Sequence, residues 1–220
     1  MAEKRRFSST PLASTPVVKR IALLVYGSVI DDPGKEIKAA QAQVIPNVQT
    51  PFPVEYARSS KKRDGGPTLV PMPPESGFSP VKAELFVMRS GVTEKEAADM
   101  LYRREIGKVG GGQKYHPDHS NPNQVFIERL GNAFSCDVVL YTRIAPNIHP
   151  LTASELARLA IESARGNVGA AGEDGISYLR RMITLGITTK LTPDYVREIQ
   201  QRTKASDVQS AWQAVRDGRV

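Results

Sequence analysis

A single cysteine, Cys136, stands in 220 residues. No internal disulfide framework is therefore available, and a reducing compartment, the cytoplasm, suits the chain. No apolar run approaches the ~18 residues of a membrane-spanning helix, so a membrane is not expected as a partner. The first twenty residues lack the apolar core of a secretory signal. They are basic and rich in Ser and Thr, and Pro11 and Pro16 interrupt any amphipathic helix there. Residues 1–17 are expected to form a disordered tail. A spread of positive charge is missing as well. The formal net charge of +7 lies in two places: residues 1–20 carry +4, and the segment Arg58 to Asp64 carries +3. A nucleic-acid groove binder would show a basic stripe along a helix, so nucleic acid is not expected as a partner either. What is present, 40% hydrophobic and 24% charged residues, describes a soluble globular protein with one sizeable domain or two small ones.

The stretch Ile21 to Ser28 reads Ile-Ala-Leu-Leu-Val-Tyr-Gly-Ser. A continuous apolar run bounded by glycine predicts a buried strand that breaks at its end. Gly27 lets the backbone turn sharply and approach a ligand, and outward-facing amides in such a turn bind carboxylates or oxyanions. The plainer reading is a core strand followed by a turn, and the choice rests on features further along.

Val29 to Lys35 reads as a loop. Residues 42–57 hold two short β-prone pieces separated by Pro46 and Pro51, and Thr68 to Val70 forms another before a proline-rich turn. Val81 to Arg89 alternates, with Val81, Ala83, Leu85 and Val87 on one face, as in a half-buried strand. Thr93 and Glu96 form a capping box for a helix running to about Glu105, on which Ala97, Leu101 and Glu105 share a face. The glycine-rich segment 106–123 reads as a long loop or an extended hairpin turn. Val125 to Leu130 and Cys136 to Arg143 predict paired strands. Four helices follow: one capped by Thr152 and closed by Gly166, one with the stripe Ile176, Leu179 and Ile183, one opened by Thr192 and Pro193, and one from Ser206 bearing Val208, Trp212 and Val215. Strands before helices, with one helix inserted among the strands, is an α+β pattern. The main domain is expected over 18–203, with a C-terminal helix in 204–220.

Glu105 is the second chemical feature. On an apolar stripe at a helix C-terminus, enclosure and the negative helix end would both favour its protonated form, which suits a proton shuttle; the alternative is a surface carboxylate at a fraying end. Other candidates are weaker. His116 and His119 bracket Asp118 without an evident third or fourth metal ligand, and a solvated loop is the default there. Gly110 to Lys114 lacks the spacing of a phosphate loop. Cys136 opens a strand with no base nearby in sequence, which suits a structural thiol.

The strand ending Tyr26-Gly27-Ser28, together with the Leu101-Tyr-Arg-Arg-Glu105-Ile-Gly segment, resembles the gamma-glutamylcyclotransferase family. The resemblance spans roughly residues 18–200. Val54 to Val70 is similar to the family's second strand, basic loop and Pro-Thr-Leu-Val return, and Val138 to Arg143 to its tyrosine-bearing strand. Gly172 to Gly186, with Tyr178 and Leu179, resembles the Gly-x-x-x-x-Tyr-Leu helix of the glutathione-acting branch. The resemblance implies a small mixed β-barrel flanked by helices, with the active site in the barrel mouth. It implies cyclisation of a γ-glutamyl peptide or amine to 5-oxoproline, with Glu105 as the catalytic base and acid. Val25, Tyr26, Gly27, Ser28, Val29 and Tyr141 would then contact a small-molecule γ-glutamyl substrate, and no metal or cofactor would be required. The chain departs from the family pattern at Val29, at Asp31 and Asp32, and in the glycine-rich insertion Lys108 to Asn123. A non-catalytic binding module on the same fold is the alternative. If the basic loop Arg58 to Arg63 lines the mouth, it favours an anionic leaving portion over a free amine.

Overall fold

Ile21–Val25 (β1) is buried at every position, as a continuous apolar run predicts, because this strand lies in the middle of a sheet. The structure, a computed structural model, describes residues 19–220; the expected tail over 1–17 lies outside the described residues. Two short helices follow β1, α1 (Ser28–Asp31) and α2 (Gly34–Ala40); α1 beyond Ser28 and the first two residues of α2 fall where Val29 to Lys35 predicted a loop. Ile37 decides the second one: it is fully buried and anchors α2 on the sheet.

Next come β2 (Gln41–Gln49), β3 (Val54–Ser59), β4 (Pro67–Pro71), β5 (Lys82–Met88), α3 (Glu94–Glu105), β6 (Phe126–Ala133) and β7 (Cys136–Arg143). Five of the strands form one sheet in the order β2-β5-β1-β7-β6, and β3 and β4 pair apart from it. Pro46 does not end β2. The strand passes through it with Asn47 at φ 60° and a register shift between Ile45 and Val48. That is tolerable because β2 is an edge strand, where a missing N–H leaves no partner unpaired.

The chain is α+β, a sheet flanked by helices, but the sheet does not close into a barrel. The β3–β4 hairpin is stitched to the sheet's ends by isolated bonds: the Asn147 and Ile148 amides donate to Ala57 O, and the Val54 amide donates to Ser79 O. Pro51 and Pro53 before β3, and Pro67 and Pro71 at the ends of β4, carry no N–H and so offer no donor at those positions.

Side chains leave β1 alternately to two cores. Ile21, Leu23 and Val25 pack with Phe86, Met88, Ala97 and Leu101 beneath α2 and α3. Ala22, Leu24 and Tyr26 join Ala83, Leu85 and Val87 in a larger core. That core is covered by α4 (Ala153–Arg165), α6 (Gly175–Thr184), α7 (Thr192–Thr203) and α8 (Val208–Arg216), with the short α5 (Asn167–Ala170) between α4 and α6. The capping box at Thr93 forms in both directions, and Thr152 caps α4. Two expectations shift. The third stripe residue of α6 is Met182, fully buried, while Ile183 is 38% exposed, because the core meets the 3-residue rather than the 4-residue spacing there. α8 starts at Val208, as Asp207, not Ser206, accepts the bond from the Ser210 amide. Trp212 donates to Asp174 at 2.9 Å, which ties α8 to the start of α6. No described helix is long and apolar enough to cross a membrane.

Several ionisable side chains are buried in this framework, among them Glu55 and Asp174. Glu55 of β3 is fully buried and accepts bonds from Thr189 Oγ1 at 2.6 Å, its neighbour's amide at 2.9 Å and the Leu191 amide at 3.1 Å. It fastens β3 to the connection between α6 and α7. Glu55→Ala is expected to lower stability by ~3 kcal/mol, since it strands buried donors. Burial pushes the Glu55 carboxyl above its ordinary value. A carboxyl raised in the folded state adds stability below its unfolded value, and loses that contribution as pH rises through the folded one. The stability advantage of the native protein over Glu55→Gln is therefore expected to fall as pH climbs out of the ordinary carboxylate range. Denaturant midpoints across that range check both, and an advantage growing with pH would contradict the assignment.

Candidate functional site

β1 runs parallel to β7 and antiparallel to β5, so the carboxyl ends of β1 and β7 emerge side by side. In open sheets, that is where crevices form. A cavity of about 540 Å³ lies there, lined among others by Tyr26, Ser28, Val29, Thr142, Tyr178 and Glu105. Its volume is within the range of small-molecule sites.

The first wall is the turn after β1. Gly27 has φ 68° and ψ −144°, a conformation left almost entirely to glycine. A Cβ at this position would stand 2.8 Å from the Tyr178 hydroxyl, so the backbone here must come close to α6. The helical turn α1 begins at Ser28. The Ile30 and Asp32 amides are used inside it, donating to Gly27 O and Ser28 O, whereas the first amides of a helical turn have no partner within it.

The second wall is the end of α3. Successive helical residues point about 100° apart, and Arg103 and Arg104 diverge accordingly. Arg103 donates to the Glu36 carboxylate, with its Nη2 at 2.7 Å, and to Gln113 O. With the Gly110 amide on Glu36 and the Tyr115 amide on Asp99, it holds the glycine-rich insertion against α3. Gly107, Val109 and Val125 of this region complete the cavity wall. Arg104 turns the other way, to Asp32 O at 2.8 Å, Ser28 Oγ at 3.2 Å and Glu105 Oε1 at 3.3 Å.

On the apolar stripe below Leu101, Glu105 has two readings from sequence, enclosure or a surface carboxylate at a fraying helix end. Leu101 is indeed 1% exposed, but Glu105 is the last residue of α3, and its side chain, 22% exposed, reaches past the packed stripe into the cavity. A guanidinium rather than apolar surface lies against it.

The third wall is basic. Arg58, Ser60, Lys62 and Arg63 line the cavity, as a basic loop at a mouth requires. Arg63 stacks over the Tyr178 ring at 4.4 Å and pairs with Glu173 at 3.4 Å. Arg58 donates only to neutral groups, Ala145 O at 2.6 Å and Asn123 Oδ1 at 3.0 Å. Among the described residues neither Arg58 nor Lys62 has a carboxylate partner, whereas Arg104 pairs with Glu105 and Arg181 with Asp31.

Two buried hydroxyls face the acid. Tyr26 donates to Thr142 O at 3.0 Å. Burial, and after it the Glu105 charge, hold its hydroxyl well above its ordinary value. Tyr178 is also raised, by burial first. Both are neutral hydrogen-bonding groups at physiological pH.

Of the residues implied by sequence, Tyr26, Ser28, Val29 and Glu105 line the cavity, and Gly27 shapes it. Val25 does not: it is 2% exposed and belongs to the core beneath α3, since alternation along β1 turns it away from Tyr26. Tyr141 is not among the lining residues either. Its ring stacks on Phe52 at 4.5 Å, while the next residue, Thr142, takes the cavity side. Arg104 was missed, and no local pattern distinguishes it from Arg103; Tyr178 was visible only inside the resemblance segment. His119 stacks on Phe126 with ring centroids 5.0 Å apart, and among the described residues no group of three or more acidic, histidine or cysteine side chains is placed to hold a metal. Cys136 is buried, with its thiol pushed up by burial.

No family model matches the chain, and no curated protein matches it. Among solved structures, the chain is similar to the crystal structure of a yeast gamma-glutamyl cyclotransferase specific to glutathione. The TM-score is 0.45 and the identity 13%, over 90% of this chain and 96% of that one.

Proposed function

We propose that the chain is a gamma-glutamylcyclotransferase that cyclises a γ-glutamyl peptide to 5-oxoproline and releases the amine. The observation that carries this reading is the meeting of Glu105 with the Tyr26-Gly27-Ser28 turn in one cavity, through Arg104. An acid poised beside a turn with free amides is what the reaction needs.

The γ-glutamyl group arrives with its α-amine protonated. Glu105 takes a proton, and the free amine attacks the γ-carbonyl carbon, forming the C–N bond of a five-membered ring. The Ser28 and Val29 amides face the oxyanion that develops. Collapse of the tetrahedral intermediate breaks the bond to the leaving nitrogen. Both protons shed by the α-nitrogen end on that nitrogen, handed over by Glu105. Because ring closure is intramolecular, holding the substrate folded supplies much of the rate, and the cavity's size suits that task.

The leaving portion is a peptide with a free carboxylate, on the strength of Arg58 and Lys62. These two cations line the cavity without acidic partners among the described residues. Assays of 5-oxoproline release from glutathione, γ-glutamyl dipeptides and neutral γ-glutamylamines test the reading. Peptides are expected to be preferred, with a preference that shrinks as salt rises, and Arg58→Gln combined with Lys62→Gln is expected to raise KM for peptides about tenfold without changing it for amines. A preference for neutral amines with no salt effect would overturn the peptide assignment, and binding of γ-glutamyl compounds without any turnover would overturn the activity.

A further inference from the structure

We infer that Arg104 is the positioning residue of this site: its guanidinium sets the distance and orientation between the Glu105 carboxylate and the backbone turn at Gly27 to Asp32. The inference rests on the cyclisation reading for its catalytic consequence, but the tether itself stands on geometry.

Glu105 and the turn belong to different elements, one at the end of α3 and the other after β1. Nothing in either element fixes their separation to the fraction of an ångström that proton transfer requires. Arg104 spans the gap with all three of its nitrogens. Nε donates to the carbonyl of Asp32 at 2.8 Å, Nη2 to the Ser28 hydroxyl at 3.2 Å, and Nη1 to Glu105 at 3.3 Å. Adjacent residues on a helix do not normally face each other. Arg104 and Glu105 meet only because Glu105 is the final residue of α3, beyond which its side chain is free to swing back. The Arg104 side chain is 12% exposed, so it is packed in place rather than waving in solvent.

The planar fork is what the geometry uses. Its donors diverge at fixed angles, so binding two acceptors on the turn determines where the third points. A lysine ammonium in the same place has the charge but one compact donor centre on a flexible stem. Arg103, the neighbour, serves the other side of the helix and binds Glu36 and the insertion, so the two arginines divide between wall and turn.

The test uses the full chain with Arg104→Ala and Arg104→Lys. Amide hydrogen exchange is read at Ile30 and Asp32, whose N–H groups close the turn, with Ala97 and Leu101 of α3 as internal reference. Exchange at the turn is expected to rise about tenfold in the alanine variant while α3 is unchanged, the mark of a local opening. In 5-oxoproline release from glutathione, kcat is expected to fall about 100-fold with KM little altered, and lysine is expected to restore only part of kcat. Unchanged exchange at Ile30 and Asp32 overturns the tether, whatever the activity. Faster exchange with undiminished kcat, or full restoration by lysine, overturns the positioning role. Faster exchange in a protein whose native form releases no 5-oxoproline leaves the tether standing and overturns the cyclisation reading instead. Should the alanine variant fail to fold, Ser28→Ala removes one acceptor of the fork and carries the same exchange prediction.

Discussion

Glu105→Gln is expected to lower 5-oxoproline release by at least ~100-fold, the lower range for loss of a general acid–base group, without unfolding the protein. Glutamine keeps the length and shape of the side chain, and its amide oxygen still accepts the bond from Arg104 Nη1. It cannot take a proton from the α-ammonium or return one to the leaving nitrogen. Because that proton transfer belongs to the transition state rather than to substrate binding, kcat and kcat/KM are expected to fall together, with KM nearly unchanged. The folded state is insulated from the change, as Glu105 lies beyond the buried stripe of α3 and Ala97 and Leu101 hold the helix without it. Steady-state kinetics with circular dichroism on the same sample checks this. A folded variant with retained turnover would move the chemistry to another residue.

Gly27→Val is expected to abolish binding of a γ-glutamyl ligand in calorimetry. Two effects act at one atom. The φ of 68° is strained for any residue with a Cβ, at about 1–3 kcal/mol, and the new Cβ would stand 2.8 Å from the Tyr178 hydroxyl. Either the turn rotates, displacing Ser28 and Val29 from the cavity wall, or α6 withdraws and opens it. A double-mutant cycle separates the two causes: Tyr178→Phe removes the hydroxyl, so it is expected to recover the steric part of the loss in Gly27→Ala and none of the φ strain. Unchanged affinity in Gly27→Val would mean the turn only links β1 to α1.

Much of the frame was legible because it rests on local pattern. The apolar run of β1, the alternation of β5 and the capping box at Thr93 each express a rule that acts within a few residues, and all three appear as elements. The short helices α1 and α2 were not legible, since each is too short to show a helical period and α2 is fixed by long-range contacts, the burial of Ile37 and the pairing of Glu36 with Arg103. The barrel implied by resemblance did not close: β3 and β4 pair apart from the five-stranded sheet, a long-range arrangement that no local pattern encodes. Within the site, residue type pointed to Glu105 and to the glycine of the turn, while strand alternation removed Val25 and Tyr141 from the cavity lining.

By itself the sequence determined the residues capable of chemistry and the elements that carry them, because turn glycine, helix caps and strand period are local physics. Only the tertiary structure decided which of them meet. The parallel pairing of β1 with β7 places two strand ends side by side, and the end of α3 beside them lets Arg104 reach Ser28, Asp32 and Glu105 at once. Such a junction depends on contacts between segments far apart in the chain, whose geometry is set by how two cores pack on opposite faces of one sheet, and no short-range pattern encodes that distance.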